Sequence, residues 1–185
     1  MVPETARIVI DGQAIGRTPW RTIAFHKPRG VVTTKRDPDG RPTVYDVLGE
    51  AAHGLIPVGR LDMASTGLLL LTSDTQLANR LTDPINGVPR RYAVTVRGSL
   101  EDDEAARMTA GIEDLRATAV TIRKRSRRET HLMIELREGK NREVRRMLDA
   151  LGHEVTRLLR VSFGPIELGT LQPGRWREIA REELA

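Results

Sequence analysis

Four consecutive leucines, Leu68 to Leu71, interrupt an otherwise mixed pattern of polar and apolar positions. A continuous apolar run has no side to offer water, so residues 68–72 read as a strand covered on both faces. Elsewhere the pattern alternates. Tyr92, Val94 and Val96 fall on one side of an extended segment and Ala93 and Thr95 on the other, which predicts a half-buried strand over 92–96. Residues 7–10, 22–34, 56–58, 119–122, 131–136, 158–161 and 166–168 read as further extended segments. Helical periodicity is clearest over 141–151, where Val144, Met147, Leu148 and Leu151 keep the i, i+3, i+4, i+7 rule; Asn141 is the expected cap and Gly152 the stop. Leu77 and Leu81 give a helix capped by Ser73 or Asp74 and ended at Asp83-Pro84. A third helix is expected from Ser99, with Glu101, Asp102 and Asp103 in its first turn and Gly111 at its end. Residues 43–48 suit a short helical turn. Asp37-Pro38-Asp39-Gly40 and Pro173-Gly174 mark turns, and RKRSRR, residues 123–128, is expected to be a basic hairpin loop. Strands and helices mix without strict alternation, so the class is α+β rather than a doubly wound parallel sheet.

The chain is 185 residues long, enough for one domain or one domain of two lobes around a real core. No apolar run approaches the ~20 residues that span a bilayer. The opening MVPETARIVIDG carries an early acid and no long apolar stretch, so it does not read as a secretory signal. The expected location is cytoplasmic. With no cysteine, thiolate nucleophiles, thiolate-metal sites and disulfides are excluded. His26, His53, His131 and His153 show neither helical metal-ligand spacing nor an HExxH motif, so no metal is expected. Neither GxxxxGK[ST] nor GxGxxG occurs, and no serine sits in a GxSxG setting. Net charge is +5, with Arg outnumbering Lys. Guanidinium groups bind phosphate bidentately and stack on bases, so this balance favours a nucleic-acid partner; the alternative is a soluble protein from an Arg-rich proteome.

Two local features bear on chemistry. Asp62 lies in a short polar turn that runs straight into the leucine strand, a setting that a solvated carboxylate does not need. On the helix over 141–151, Arg145 borders the apolar stripe and can reach inward at the edge of a cleft, where it would want a carboxylate partner. Asp62 is a candidate for that partner.

The stretch that holds Asp62, GRLDMASTGLLLLTSD at 59–74, resembles the catalytic-aspartate motif of pseudouridine synthases, in particular the branch that modifies bacterial ribosomal RNA. HKPRGVVTT at 26–34, RRYAVTVRG at 90–98 and EGKNREVRRMLDALGHEVTRLLRVSFGPIELGTLQPGRWREI at 138–179 resemble the family's other motifs, in the family's order. The resemblance covers residues 25–179. Two departures are local: Arg91 stands where the family often has Lys, and Glu143 where Gln is common. A third is larger. Many members carry an RNA-binding S4 domain of about sixty residues before the KP motif; residues 1–24 are too short for it, so they are expected to be an N-terminal extension ahead of a catalytic domain over 25–185.

The resemblance implies the pseudouridine synthase fold: a mixed, mainly antiparallel sheet in two lobes flanking a catalytic cleft. It implies isomerisation of a uridine in ribosomal RNA, with the large subunit favoured, and no cofactor. Asp62 is implied as the nucleophile, Tyr92 as the ring that stacks on the uracil, and Arg145 as the cation paired with Asp62. Arg60 is implied to enter the space left by the flipped base. Lys27, Arg29, Arg80, Arg90, Arg142 and Arg146 are expected to contact the RNA backbone. Extruding a stacked base costs a few kcal/mol, so the expected target is a uridine in a structured stem-loop. With two each of Phe, Trp and Tyr, the chain lacks the aromatics for a stacking platform, and recognition by shape and phosphate follows. The expected enzyme is a monomer. The alternative from another class is a noncatalytic RNA-binding or ribosome-assembly factor on the same fold, which gives no reason for Asp62, Tyr92 and Arg145 to occur together. A retaining glycosidase would need two carboxylates in its cleft, and only Asp62 has motif support.

Overall fold

The computed structural model describes residues 8–10, 13–15 and 19–184. Half of the expected 1–24 extension, including Arg7 of its first extended segment, lies outside them. Within it, β1 (Ile8–Ile10) and β2 (Gln13–Ile15) form a two-stranded antiparallel ribbon separate from the main sheet.

The main sheet starts with β3 (Thr22–Lys27). The chain then passes through a short helix, α1 (Val44–Leu48), and strand β4 (Ile56–Pro57) into β5 (Thr66–Thr72) and helix α2 (Thr75–Thr82). Strand β6 (Arg90–Arg97), helix α3 (Asp102–Ala110) and the hairpin of β7 (Ala119–Arg125) and β8 (Glu129–Leu136) follow. Helix α4 (Glu143–Ala150), β9 (Val155–Phe163), β10 (Ile166–Glu167) and β11 (Trp176–Glu178) complete the order. The strands line up as β11-β3-β5-β9-β6-β8-β7, with β4 beside β5 and β10 beside β9. Every pairing is antiparallel except β5 with β9, which are parallel over Thr66–Leu159 and Gly67–Arg160. The sheet is therefore mixed and mainly antiparallel, and two antiparallel halves meet at one short parallel seam. Gly67 makes that seam possible. Its φ is +110°, and a Cβ there would lie 2.3 Å from the Arg160 carbonyl oxygen.

β5 is covered on both faces. Leu69 and Leu71 belong to the core formed with α1, α3 and α4, while Leu68 and Leu70 belong to a second core with Leu77, Leu81 and Phe163. In the far half, Leu132, Ile134 and Leu136 of β8 join the first core, whereas His131, Met133 and Glu135 are half-buried on the sheet's other face. The alternation over 92–96 holds for Tyr92, Val94 and Val96.

Three boundaries differ from expectation. α3 begins at Asp102, capped by Glu101, which forms a capping box with Glu104. The buried Leu100 is anchored by an N–H bond to Thr130 Oγ1, which keeps the chain extended past Ser99. α4 begins at Glu143 rather than after Asn141, with Arg142 in the left-handed region at φ +48°. The strands on either side of RKRSRR run further than the pattern suggests. Only residues 126–128 turn, and Arg123, Lys124 and Arg125 lie in β7, where a bulge between Ile122 and Lys124 shifts the register.

Candidate active site

The turn carrying Asp62 is pinned along its backbone. Val58 N–H donates to the Leu70 carbonyl (2.8 Å) and Gly30 N–H to the Met63 carbonyl (2.8 Å). Thr33 Oγ1 donates to the Leu61 carbonyl (2.9 Å), and Ser65 N–H closes the turn on the Asp62 carbonyl (3.0 Å). Beneath it, the fully buried Lys27 donates from Nζ to the carbonyls of Ser65 (2.9 Å) and Pro28 (3.0 Å). Burial brings the Lys27 pKa down to about 8, with nearby Asp62 opposing that shift and Arg160 adding to it. The main chain is thus held rigidly while the Asp62 carboxylate stays out of its own turn's hydrogen bonds and 32% exposed.

That carboxylate stands at the rim of a cavity of about 150 Å³ between the two half-sheets. Tyr92 and Leu158 line it from β6 and β9, Val144 from α4, and Leu61 from the Asp62 turn. Its deeper wall is cationic. Arg160, 3% exposed, donates from Nε to the Leu68 carbonyl (2.7 Å) and lies over the Phe163 ring, 5.0 Å from its centroid. Arg90, 5% exposed, covers the same ring and donates to the carbonyls of Leu81, Arg137 and Glu138. Burial lowers its pKa. Glu143 closes the α4 side: its Oε2 accepts from the N–H groups of Gly139 and Lys140 (both 3.1 Å), while burial raises its pKa against those two bonds.

Two arginines of the α4 region flank Asp62. Arg142 Nη1 lies 3.6 Å from Asp62 Oδ2, so the carboxylate's ion-pair partner here is Arg142 and not the expected Arg145. Arg145 donates to the carbonyls of Ala64 (3.4 Å) and Val155 (3.3 Å), bracing the same turn from behind. Burial and the neighbouring charge of Arg142 lower its pKa, while Asp62 raises it, so Arg145 still feels the carboxylate.

Of the sequence-derived site residues, Arg60, Asp62, Arg90, Tyr92 and Arg142 converge on one cavity, with Arg145 beside it. Arg29 is exposed and close enough to depress the Arg145 pKa further. Two expected backbone contacts, Lys27 and Arg90, need correction. Lys27 is wholly enclosed by carbonyls and cannot reach a phosphate. Arg90 is a wall of the cavity, with its guanidinium spent on three carbonyls. Arg80 is exposed in a separate groove with Trp20 and Arg181. Arg146 is exposed and pairs with Asp114 (2.6 Å). Sequence reasoning also passed over Arg160, Glu143 and Phe163 as cavity walls. Arg160 had one signal: it alternates with Leu158 on the same, buried face of β9.

A pinned carboxylate, a phenol ring and apolar walls suit nucleophilic chemistry on a flat ring, and the cations at the rim suit a polyanionic substrate. Among the described residues, no three His, Asp or Glu side chains cluster as metal ligands. No helix among them is long and apolar enough to cross a membrane.

Comparison with known proteins agrees with this geometry. Residues 21–150 match the family model described as RNA pseudouridylate synthase. An uncharacterized RNA pseudouridine synthase of Aquifex aeolicus is 38% identical, the alignment covering 99% of this chain and 76% of that protein. The ribosomal large subunit pseudouridine synthase B of Yersinia pestis is 39% identical over 96% of this chain, which spans only 59% of that relative's length. A crystal structure of a pseudouridylate synthase superposes with a TM-score of 0.76 at 30% identity, covering 89% of this chain and 72% of that one. The chain belongs to the RNA pseudouridylate synthase family.

Proposed function

We propose that this chain converts one uridine of large-subunit ribosomal RNA to pseudouridine, acting in the cytoplasm as a monomer, with residues 25–185 as its catalytic domain. The observation that carries the reading is the Asp62 carboxylate, on a backbone pinned from four sides, at the rim of a cavity that also presents Tyr92. The target nucleotide is flipped from a structured stem-loop so that its base enters the cavity against the Tyr92 ring. With Asp62 as nucleophile, a bond forms between its carboxylate and the nucleotide as the C1′–N1 bond breaks, the base turns within the cavity, and the bond to Asp62 breaks as the C1′–C5 bond forms. C5 then loses its proton and N1 gains one. Reactant and product are isomers, so no cofactor or energy source is needed.

Each group has a physical task. The rigid turn keeps the carboxylate from being reordered at every turnover. Arg142 and Arg145 place positive charge beside it. The Tyr92 hydroxyl takes the C5 proton. Arg60, exposed at the cavity rim, fills the gap left in the RNA, and Arg29 and Arg142 hold the backbone. A noncatalytic RNA-binding role would leave the convergence of Asp62, Tyr92 and Arg145 without a purpose.

The test is to map pseudouridine after incubating the protein with protein-free large-subunit RNA, protein-free small-subunit RNA and large-subunit assembly particles. A single new pseudouridine in large-subunit RNA, free or in particles, is expected. Product only in small-subunit RNA would overturn the substrate, and no product on any of the three would overturn the activity.

A further inference from the structure

The basic hairpin of β7 and β8 has no part in the catalytic cavity. Five of the six residues at 123–128 are cationic. Arg125 alone is anchored, by Glu101 (3.2 Å) and Asp102 (2.7 Å) on α3. Among the described residues, Arg123, Lys124, Arg127 and Arg128 have no carboxylate within ion-pair distance, and all four are exposed. The turn does not need them. It is closed by Ser126, whose N–H (3.0 Å) and Oγ (2.9 Å) both donate to the Glu129 carbonyl.

β7 is the outer strand of its half-sheet, and a cation on an edge strand can simply block pairing with another chain. The bulge at 122–124 already disrupts that edge, and one or two charges would complete the protection. Four uncompensated charges on one tight hairpin repel each other, an excess that edge protection leaves unexplained.

The hairpin is also connected to the site. A groove starts at Arg142, which faces Asp62, passes Arg145 and Arg146 with Asp149 in its lining, and ends at His153, Glu154 and Val155. Glu154 there is clasped by Arg97 (2.7 Å), and the next residue, Gly98, donates its N–H to the Arg128 carbonyl (2.9 Å). The five steps along β6 from Tyr92 to Arg97 span about 17 Å at the usual strand rise of ~3.4 Å per residue. The hairpin is thus tied through Gly98 to the end of β6 next to Glu154, which lines the groove that also holds Arg142.

We propose that Arg123, Lys124, Arg127 and Arg128 form a second RNA-binding element that grips phosphates of the duplex flanking the target uridine, while the cavity holds the flipped base. This rests on the uridine-isomerising function for its choice of RNA, but its test is a binding measurement that does not depend on turnover. The hairpin reads charge and shape rather than sequence, and so adds affinity for a uridine attached to a folded stem.

The experiment compares the unmodified protein, the R123Q/K124Q/R127Q/R128Q variant and a charge-preserving R123K/R127K/R128K variant. Each is titrated, over a range of salt, with a large-subunit stem-loop fragment and with the same loop cut short of its flanking duplex. The Gln variant is expected to bind the stem-bearing fragment about tenfold more weakly. Its slope of log K against log salt should fall by roughly 2 to 4, near one for each phosphate that the hairpin no longer neutralises. The Lys variant should keep the original slope, and the short fragment should show a much smaller difference. Equal slopes for all three proteins on the stem-bearing fragment would overturn the proposal and leave the hairpin as edge protection. An equal loss on both fragments would overturn it too, by placing the contact at the loop itself. If the unmodified protein forms no pseudouridine yet these binding differences appear, the functional reading fails and the RNA-binding element stands.

Discussion

The two halves of the sheet carry different kinds of burial. β5 is packed on both faces, its leucines divided between two cores, and it anchors the turn that presents Asp62. β8 buries one face and leaves the other half-buried, β7 beside it is only partly covered, and cations gather at their hairpin. On the proposed function, the difference separates two demands. A reacting carboxylate must be held within a fraction of an ångström, which requires a strand with no freedom to shift. Phosphate contact needs reach and exposure, which a half-covered hairpin supplies.

The comparison breaks most completely at the seam. Gly67→Ala puts a methyl against the Arg160 backbone at a φ that Ala avoids, so a loss of more than about 4 kcal/mol is expected, in the range of severe single substitutions. Denaturant unfolding checks it, and a native-like midpoint would mean the halves do not depend on this close approach. Next comes Leu70→Ala in the doubly covered strand, with an expected loss of ~3 kcal/mol from reduced burial and the cavity left behind. The matched change Ile122→Ala on β7, only half-buried, should cost ~1 kcal/mol in the same assay. Equal losses would erase the contrast between the halves.

A further effect concerns pH. The Lys27 pKa is about 8 in the folded protein against an ordinary 10.5, so the unfolded chain binds more protons between those values. Stability therefore gains from this group as pH rises from about 8 towards 10.5, and the cost of burying its charge is fully present below 8. Lys27→Met removes that dependence. Its stability relative to the unmodified protein should fall as pH is raised from 8 to 10, and a constant difference would mean that Lys27 is not charged at the expense of the fold.

Much of this was legible in the sequence wherever a pattern is local. The leucine run gave a doubly buried strand, the stripe through Val144, Met147 and Leu148 gave α4, and the motif around Asp62 marked the residue that the structure places at a cavity rim. What was hidden depends on contacts between distant segments. Lys27 before a proline looks like a surface cation until Ser65, far along the chain, turns its carbonyl onto it. Arg90 likewise reads as a phosphate contact until three carbonyls from elsewhere enclose it. The start of α4 moved because the Glu143 side chain captures the N–H groups of Gly139 and Lys140, a reach-back that the expected Asn141 cap does not anticipate. The pairing of Asp62 with Arg142 rather than Arg145 goes with a left-handed backbone at Arg142, which no hydrophobic period records.

The central claim is that Asp62 is the group on which catalysis depends. It is tested most directly by release of tritium from ribosomal RNA labelled at uridine C5, since every isomerisation must free that hydrogen. The unmodified protein and Asp62→Asn would be compared at RNA concentrations that saturate both, with binding measured alongside. The expected result is stoichiometric release by the unmodified protein and none above background by the variant, with similar RNA affinities. Release by Asp62→Asn at a rate near that of the unmodified protein would contradict the account and move the chemistry to another residue of the cavity.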